Sequence, residues 1–101
     1  MKKLNLRITK ANIKNGEQTN PGKCPIANSI IENVKNVIHV CVLPNEATIK
    51  VKNGNRVTAY RGKLPTKAHS FVRNFDEGLK VKPFVLSLEL NRLNKKIVEL
   101  V

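Results

Sequence analysis

Apolar and polar residues alternate from the start of the chain. Leu4, Leu6 and Ile8 interleave with Asn5, Arg7 and Thr9, which predicts a half-buried first strand. Thr9 is placed to cap a short helix over Lys10 to Asn15 that Gly16 closes. Ile8 and Ile13 then fall at the N′ and N4 positions of a hydrophobic staple. Glu17 to Lys23 is polar, and Asn20-Pro21-Gly22 marks a turn. Cys24-Pro25 opens a second helix, with proline at the first helical position, where a missing N–H costs nothing. Its apolar stripe is Ile26, Ala27, Ile30, Ile31 and Val34. Val37 to Leu43 is apolar on both strand faces apart from His39, the pattern of a central strand.

After Pro44-Asn45, the stretch from Ile49 to Arg61 reads as a hairpin. Two alternating runs flank Asn53-Gly54, a strong short-range hairpin signal. Simple alternation along the chain puts Ile49, Val51, Val57 and Ala59 on one face. It puts Lys50, Lys52, Arg56, Thr58 and Tyr60 on the other. Pro65 starts a third helix, with Ala68, Phe71, Val72 and Phe75 at helical spacing and Gly78 as its stop. Lys80 to Pro83 is a loop. Phe84, Leu86, Leu88 and Leu90 point one way from a last strand, and Val85, Ser87 and Glu89 the other.

The predicted order is β-α-α-β-β-β-α-β. It describes an α+β fold: a mainly antiparallel four- to five-stranded sheet with two to three short helices on one face. Residues 1–90 form the single domain. The tail, 91–101, reads either as a helix facing with Leu93, Ile97 and Leu100 or as a strand over Ile97 to Val101. Such an apolar segment packs on its own domain or makes a homo-oligomer.

Composition changes this picture in one respect. The aromatic content is low, with three Phe, one Tyr and no Trp, so the core must rest on Ile, Val and Leu. No apolar run approaches the ~20 residues of a membrane span, so no membrane partner is expected. Met1-Lys2-Lys3 is followed by alternation rather than an apolar signal core, so no secretory peptide is expected. The charge stands out: 19 Lys and Arg against 7 Asp and Glu give a formal net charge of +12. A surface of that sign attracts nucleic acid, nucleotide phosphates or an acidic protein, although Lys can also serve solubility alone. Cys24 and Cys41 form neither a disulfide framework nor a CxxC site, and two free thiols fit a reducing cytoplasm.

Several motifs together carry a resemblance. They are Asn12-Ile13-Lys14-Asn15-Gly16, Cys24-Pro25-Ile26-Ala27, Tyr60, Leu64-Pro65, Ala68, Phe71, Phe75-Asp76-Glu77-Gly78 and Val81-Lys82-Pro83-Phe84. The set resembles a group of small bacteriophage proteins in which a CPIA or CPVA helix start precedes strands, then LP, a helix ending in FD.G, and a V.PF strand. The resemblance covers roughly residues 4 to 90. It implies a phage or prophage origin, in the cytoplasm of a host cell, and the same α+β fold. It assigns no activity, so no functional residue carries over. This chain is more basic than those relatives and carries the additional tail.

The candidate sites follow from the charge. Lys50, Lys52 and Arg56 on the hairpin suit a phosphate backbone, with Tyr60 placed to stack on a base. Arg61, Lys63 and Lys67 extend the patch. The RNP motifs of an RRM are absent. The Cys24-Pro25 helix start, with Lys23 beside it, is a candidate anion site, but no GxxxxGK[ST] or GxGxxG pattern strengthens it. Cys24, His39, Cys41 and His69 match no zinc-ligand spacing, so no metal or other cofactor is expected. Asp76 and the scattered Glu residues offer no paired carboxylates, and no nucleophile has a His and acid in context, which points away from an enzyme. Three readings follow. The first is a phage-type accessory protein that binds nucleic acid. The second is an anti-defence protein, either a sponge for a nucleotide immune signal or an inhibitor of a host nuclease complex. The third is a structural phage component.

Overall fold

Where leucine and isoleucine alternate with polar residues, the strands pair so that the apolar sets coincide. The computed structural model describes residues 2–93. The elements are β1 (Lys2–Ile8), α1 (Lys10–Asn15), α2 (Pro25–Asn33), β2 (Val37–Val42), β3 (Glu46–Asn53), β4 (Arg56–Lys63), α3 (Thr66–Asp76) and β5 (Phe84–Arg92). The order is the one expected from the pattern, and the fold is α+β. All five strands join one antiparallel sheet in the order β1-β5-β4-β3-β2.

β1 and β5 pair with Leu4 opposite Leu88, Leu6 opposite Leu86 and Ile8 opposite Phe84. Directly opposed residues share a face. These side chains therefore make one apolar surface, joined by Val40 and Val42 of β2 and Ala47 and Ile49 of β3. The helices cover that surface. α3 contributes Ala68, Phe71 and Val72, and the Phe71 and Phe84 rings meet at a centroid distance of 4.7 Å.

α2 does more than cover. It packs against β1 and against β2, the two opposite edges of the sheet, so the sheet is curled with α2 lying across its open side. Ile26, Ala27 and Ile30 are fully buried there. Ser29, 0% exposed, donates its hydroxyl to the Arg7 carbonyl of edge strand β1 at 3.1 Å. α1 is tied to α2 in turn. Asn12 is buried; its Oδ1 accepts from the Thr9 N–H and hydroxyl at 2.9 and 3.0 Å, and its Nδ2 donates to Glu32 Oε1 at 2.8 Å. Thr9 caps α1 as expected, with Asn12 in the reciprocal role of a capping box.

Two expectations are corrected. β2 is an edge strand, not a central one. Its free side is met by the preceding loop, where Val42 N–H donates to the Pro21 carbonyl at 2.8 Å. Its continuous apolar look comes from a register break between Val37 and His39. Ile38 sits in that break, 54% exposed, while Val40 and Val42 alternate inward. The second is the end of the last strand, expected at Leu90. β5 continues to Arg92, with Asn91 opposite Arg61 and Arg92 opposite Tyr60, and Leu93 N–H donates to the Ala59 carbonyl at 2.8 Å. The expectation for the apolar tail from Ile97 onward lies outside the described residues. No helix among the described residues is long and apolar enough to cross a membrane.

Replacing Ser29 with Ala removes the donor of a part-buried hydrogen bond to the Arg7 carbonyl and leaves the space of a buried hydroxyl empty. This is expected to cost about 1–3 kcal/mol, read as a lower urea midpoint at unchanged m. Gly62→Ala should destabilise by a similar route, overpacking at about 1–3 kcal/mol, because a Cβ there would lie 2.5 Å from the Glu89 carbonyl oxygen. A urea midpoint equal to the parent's for either variant would remove that contact from the account.

Candidate nucleic-acid interface

The hairpin turns one residue later than the Asn53-Gly54 signal suggests. Asn53 pairs with Arg56, so the two loop residues are Gly54 and Asn55, and Gly54 adopts φ +61°. Glycine with positive φ at the first central position is the chemistry of a type II′ turn.

A two-residue loop has a consequence for the faces. Opposed residues then differ in parity, so the faces do not follow odd and even numbers across the turn. Ile49 lies opposite Tyr60 and Val51 opposite Thr58, whereas Lys50 lies opposite Ala59 and Lys52 opposite Val57. The expected cationic face of Lys50, Lys52, Arg56 and Tyr60 is therefore split. Lys50 and Lys52 share the outer face with Arg61. Tyr60 and Arg56 belong to the helix-covered side. Tyr60 is half-buried and packs against the core, where it lines a cavity of about 30 Å³ with Leu4, Val34, Ile49, Val51 and Leu90. It is not placed to stack on a base from the outer face. Arg56 is exposed at the hairpin tip.

The same register assembles a different surface. Lys3 and Arg7 alternate outward on β1, Lys50 and Lys52 on β3, and Arg61 and Lys63 on β4. Glu46 and Glu89 are the carboxylates on this face. No described helix covers it, because the buried residues of α2 and α3 belong to the cluster on the opposite side. Arg61 Nε stands 3.9 Å from Glu46 Oε2, both substantially exposed, a loose pair worth little in water. At one end a shallow groove of about 490 Å³ is lined by Lys3, Lys63, Leu64, Pro65, Ser87, Glu89 and Asn91. Lys3 and Arg7 were missed in the sequence. Their spacing is plain, but only the β1–β5 pairing shows that they share a face with the hairpin lysines. Lys67 does not extend the patch: it lies on α3 with its Nζ over the Phe84 ring at 5.6 Å.

The positive charge is not confined to this face. Lys10, Lys14 and Lys80 are exposed on the helix side. There, Glu17, Glu32, Asp76 and Glu77 are interspersed with the cations.

The other candidates have structural employment. Lys23 Nζ is 3.8 Å from Glu17 Oε2. The start of α2 is buried, and Cys24 Sγ accepts from the Ala27 N–H at 3.5 Å as the helix cap. Burial pushes the Cys24 thiol pKa up; the nearby Asp76 carboxylate adds to the rise, and backbone donors at Ala27 and Ile26 oppose it. Asp76 Oδ1 accepts the Thr19 N–H at 2.9 Å, where Thr19 is held at φ +53°, so this carboxylate anchors the loop before α2. Cys24 and Cys41 are both free. His69 Nε2 is a buried atom without a hydrogen-bond partner among the described residues. No group of three or more His, Cys, Asp or Glu could hold a metal among the described residues.

The chain matches no family model, no curated protein and no solved structure.

Cys24 should resist alkylation in the folded protein while half-buried Cys41 reacts first, and unfolding in urea should erase the difference. Equal native labelling of the two thiols would contradict the capped, buried geometry. The sign of the pH effect follows from the raised pKa. The Cys24 contribution to stability is complete below the unfolded thiol's pKa and is lost as pH rises through the folded one. Urea midpoints of the parent should thus fall more steeply at alkaline pH than those of Cys24→Ala.

Proposed function

We propose that this chain is a non-enzymatic, phage-type accessory protein that binds nucleic acid along the outer face of its sheet, which no described helix covers. The observation that carries this reading is the register, which puts Lys50, Lys52, Arg61 and Lys63 on the same face as Lys3 and Arg7, a face that no described helix covers. Same-face residues along a strand are about 7 Å apart, and neighbouring strands are about 4.8 Å apart. The cations therefore form a spread array. A polymer can meet such an array one phosphate at a time, whereas a small anion needs donors that converge in a concavity. The sheet curls toward its helices, so this face is the outer one of the curve.

The mode of binding follows from what the face contains. Tyr60 is on the other side, so affinity rests on phosphate neutralisation rather than base stacking. Contacts from a spread array of this kind go to phosphates, which carry no sequence information, so little sequence preference is expected. The nucleotide-sponge alternative draws less support, since the start of α2 is buried.

Net charge alone would give some binding from any surface, so the test compares reversals of equal size. The triple variant Lys50→Glu, Lys52→Glu, Arg61→Glu is measured beside Lys10→Glu, Lys14→Glu, Lys80→Glu, by fluorescence anisotropy with labelled duplex and single strands. The outer-face triple should lose at least about tenfold in affinity, and its log affinity–log salt slope should shrink by about 0.9 for each duplex phosphate contact removed. The helix-side triple should keep most of both. Equal weakening of the two would overturn the assignment.

A further inference from the structure

We propose that Asn53, at the hairpin tip, is a site of spontaneous deamidation, and that the fold holds the other Asn-Gly pair, Asn15-Gly16, unreactive. The reaction needs only the chain and water. The backbone nitrogen of Gly54 attacks Cγ of Asn53, forming an N–Cγ bond and giving up its proton. The Cγ–Nδ2 bond breaks, and Nδ2 leaves as ammonia. Water then opens the resulting cyclic imide at either carbonyl, leaving aspartate or isoaspartate. Nothing is oxidised or reduced. Glycine favours the step because no Cβ shields its nitrogen and its backbone adapts to the ring.

The structure separates the two pairs. Asn53 and Gly54 are both exposed, and a Cβ on Gly54 would meet nothing within 4 Å. The Gly54 N–H makes no hydrogen bond among the described residues. Asn53 ends β3, and its pairing with Arg56 is the last rung of the ladder, so fraying there costs little. Asn15-Gly16 is the opposite case. The Gly16 N–H donates to the Ile13 carbonyl at 3.3 Å and closes α1. Gly16 is packed so tightly on Pro25 that a Cβ would fall 2.7 Å from its Cδ. Attack at Asn15 must therefore await local opening of the α1–α2 junction.

The chemistry stands without any function. Its effect on binding rests on the reading above: a new carboxylate one residue from Lys52 of the outer face lowers the positive potential that face offers to phosphate.

The full chain is incubated at mildly alkaline pH, folded and in urea. Peptide mapping by mass spectrometry, with isoaspartyl methyltransferase labelling, then follows both sites. In the folded protein, Asn53 should convert at least about tenfold faster than Asn15, and in urea the two rates should converge. Asn53→Gln should remove the tip signal and leave Asn15 slow. Equal rates in the folded chain, a faster Asn15, or a tip that stays intact while the unfolded chain converts would overturn the proposal. Anisotropy with Asn53→Asp reads the second part separately. Weaker binding is expected; unchanged binding would remove the tip from the interface and leave the deamidation result standing.

Discussion

A helix laid across the open side of a curled sheet organises this molecule. α2 touches both edge strands, buries Ile26, Ala27 and Ile30 between them, and hands a hydroxyl proton from Ser29 to an edge carbonyl. Burying the apolar stripe supplies the driving force, and the hydroxyl removes the cost of an unsatisfied carbonyl that the same burial would create. The neighbouring pieces inherit their positions from it. Glu32 of α2 receives Asn12 of α1, and the loop before α2 is moored to α3 through the Thr19–Asp76 and Gln18–Phe75 hydrogen bonds. With all of this on one side, the opposite side of the sheet carries Lys3, Arg7, Lys50, Lys52, Arg61 and Lys63 among small and apolar neighbours such as Ala59 and Val85. The cationic face is thus a by-product of where the core lies.

What that face contains is decided by something smaller. A loop of two residues, with glycine at positive φ, sets which residues of β3 oppose which residues of β4. The choice keeps Lys50 and Lys52 with Arg61 and Lys63, and takes Tyr60 to the core. Were the loop a residue longer, parity would reverse on one strand. Tyr60 would then stand among the lysines, and Arg61 would point at the core.

Much of the fold was readable from residues alone, for reasons that can be named. Strands β1 and β5 carry clean alternation, Thr9 and Asn12 stand at cap spacing, and α3 shows its stripe from Ala68 to Phe75. In each case one local signal suffices. The failures were nonlocal. The run Val37 to Val42 resembles a central strand because Ile38, in a register break, fills a polar position with an apolar side chain. The hairpin faces were misassigned because alternation was carried through a turn that inverts it. Lys3 and Arg7 could not be joined to the hairpin lysines without knowing that β5 lies between β1 and β4. For the site, then, the residue types were legible and their grouping was not, since grouping depends on pairings across the chain.

The pairing of β1 with β5 reaches beyond the finished structure. Among the described residues, the first strand finds its sheet partner at Phe84 to Leu90, nearly the whole described length away. Closing so long a loop must precede the contacts that reward it, which slows folding. During synthesis, Leu4, Leu6 and Ile8 leave the ribosome well before β5 and wait, unpaired and apolar, until β5 has followed. A nascent chain in this state exposes an apolar strand with nothing yet to pair it. The polar alternation of β1, with Lys3 and Arg7 set among its leucines, helps keep it soluble in the interval.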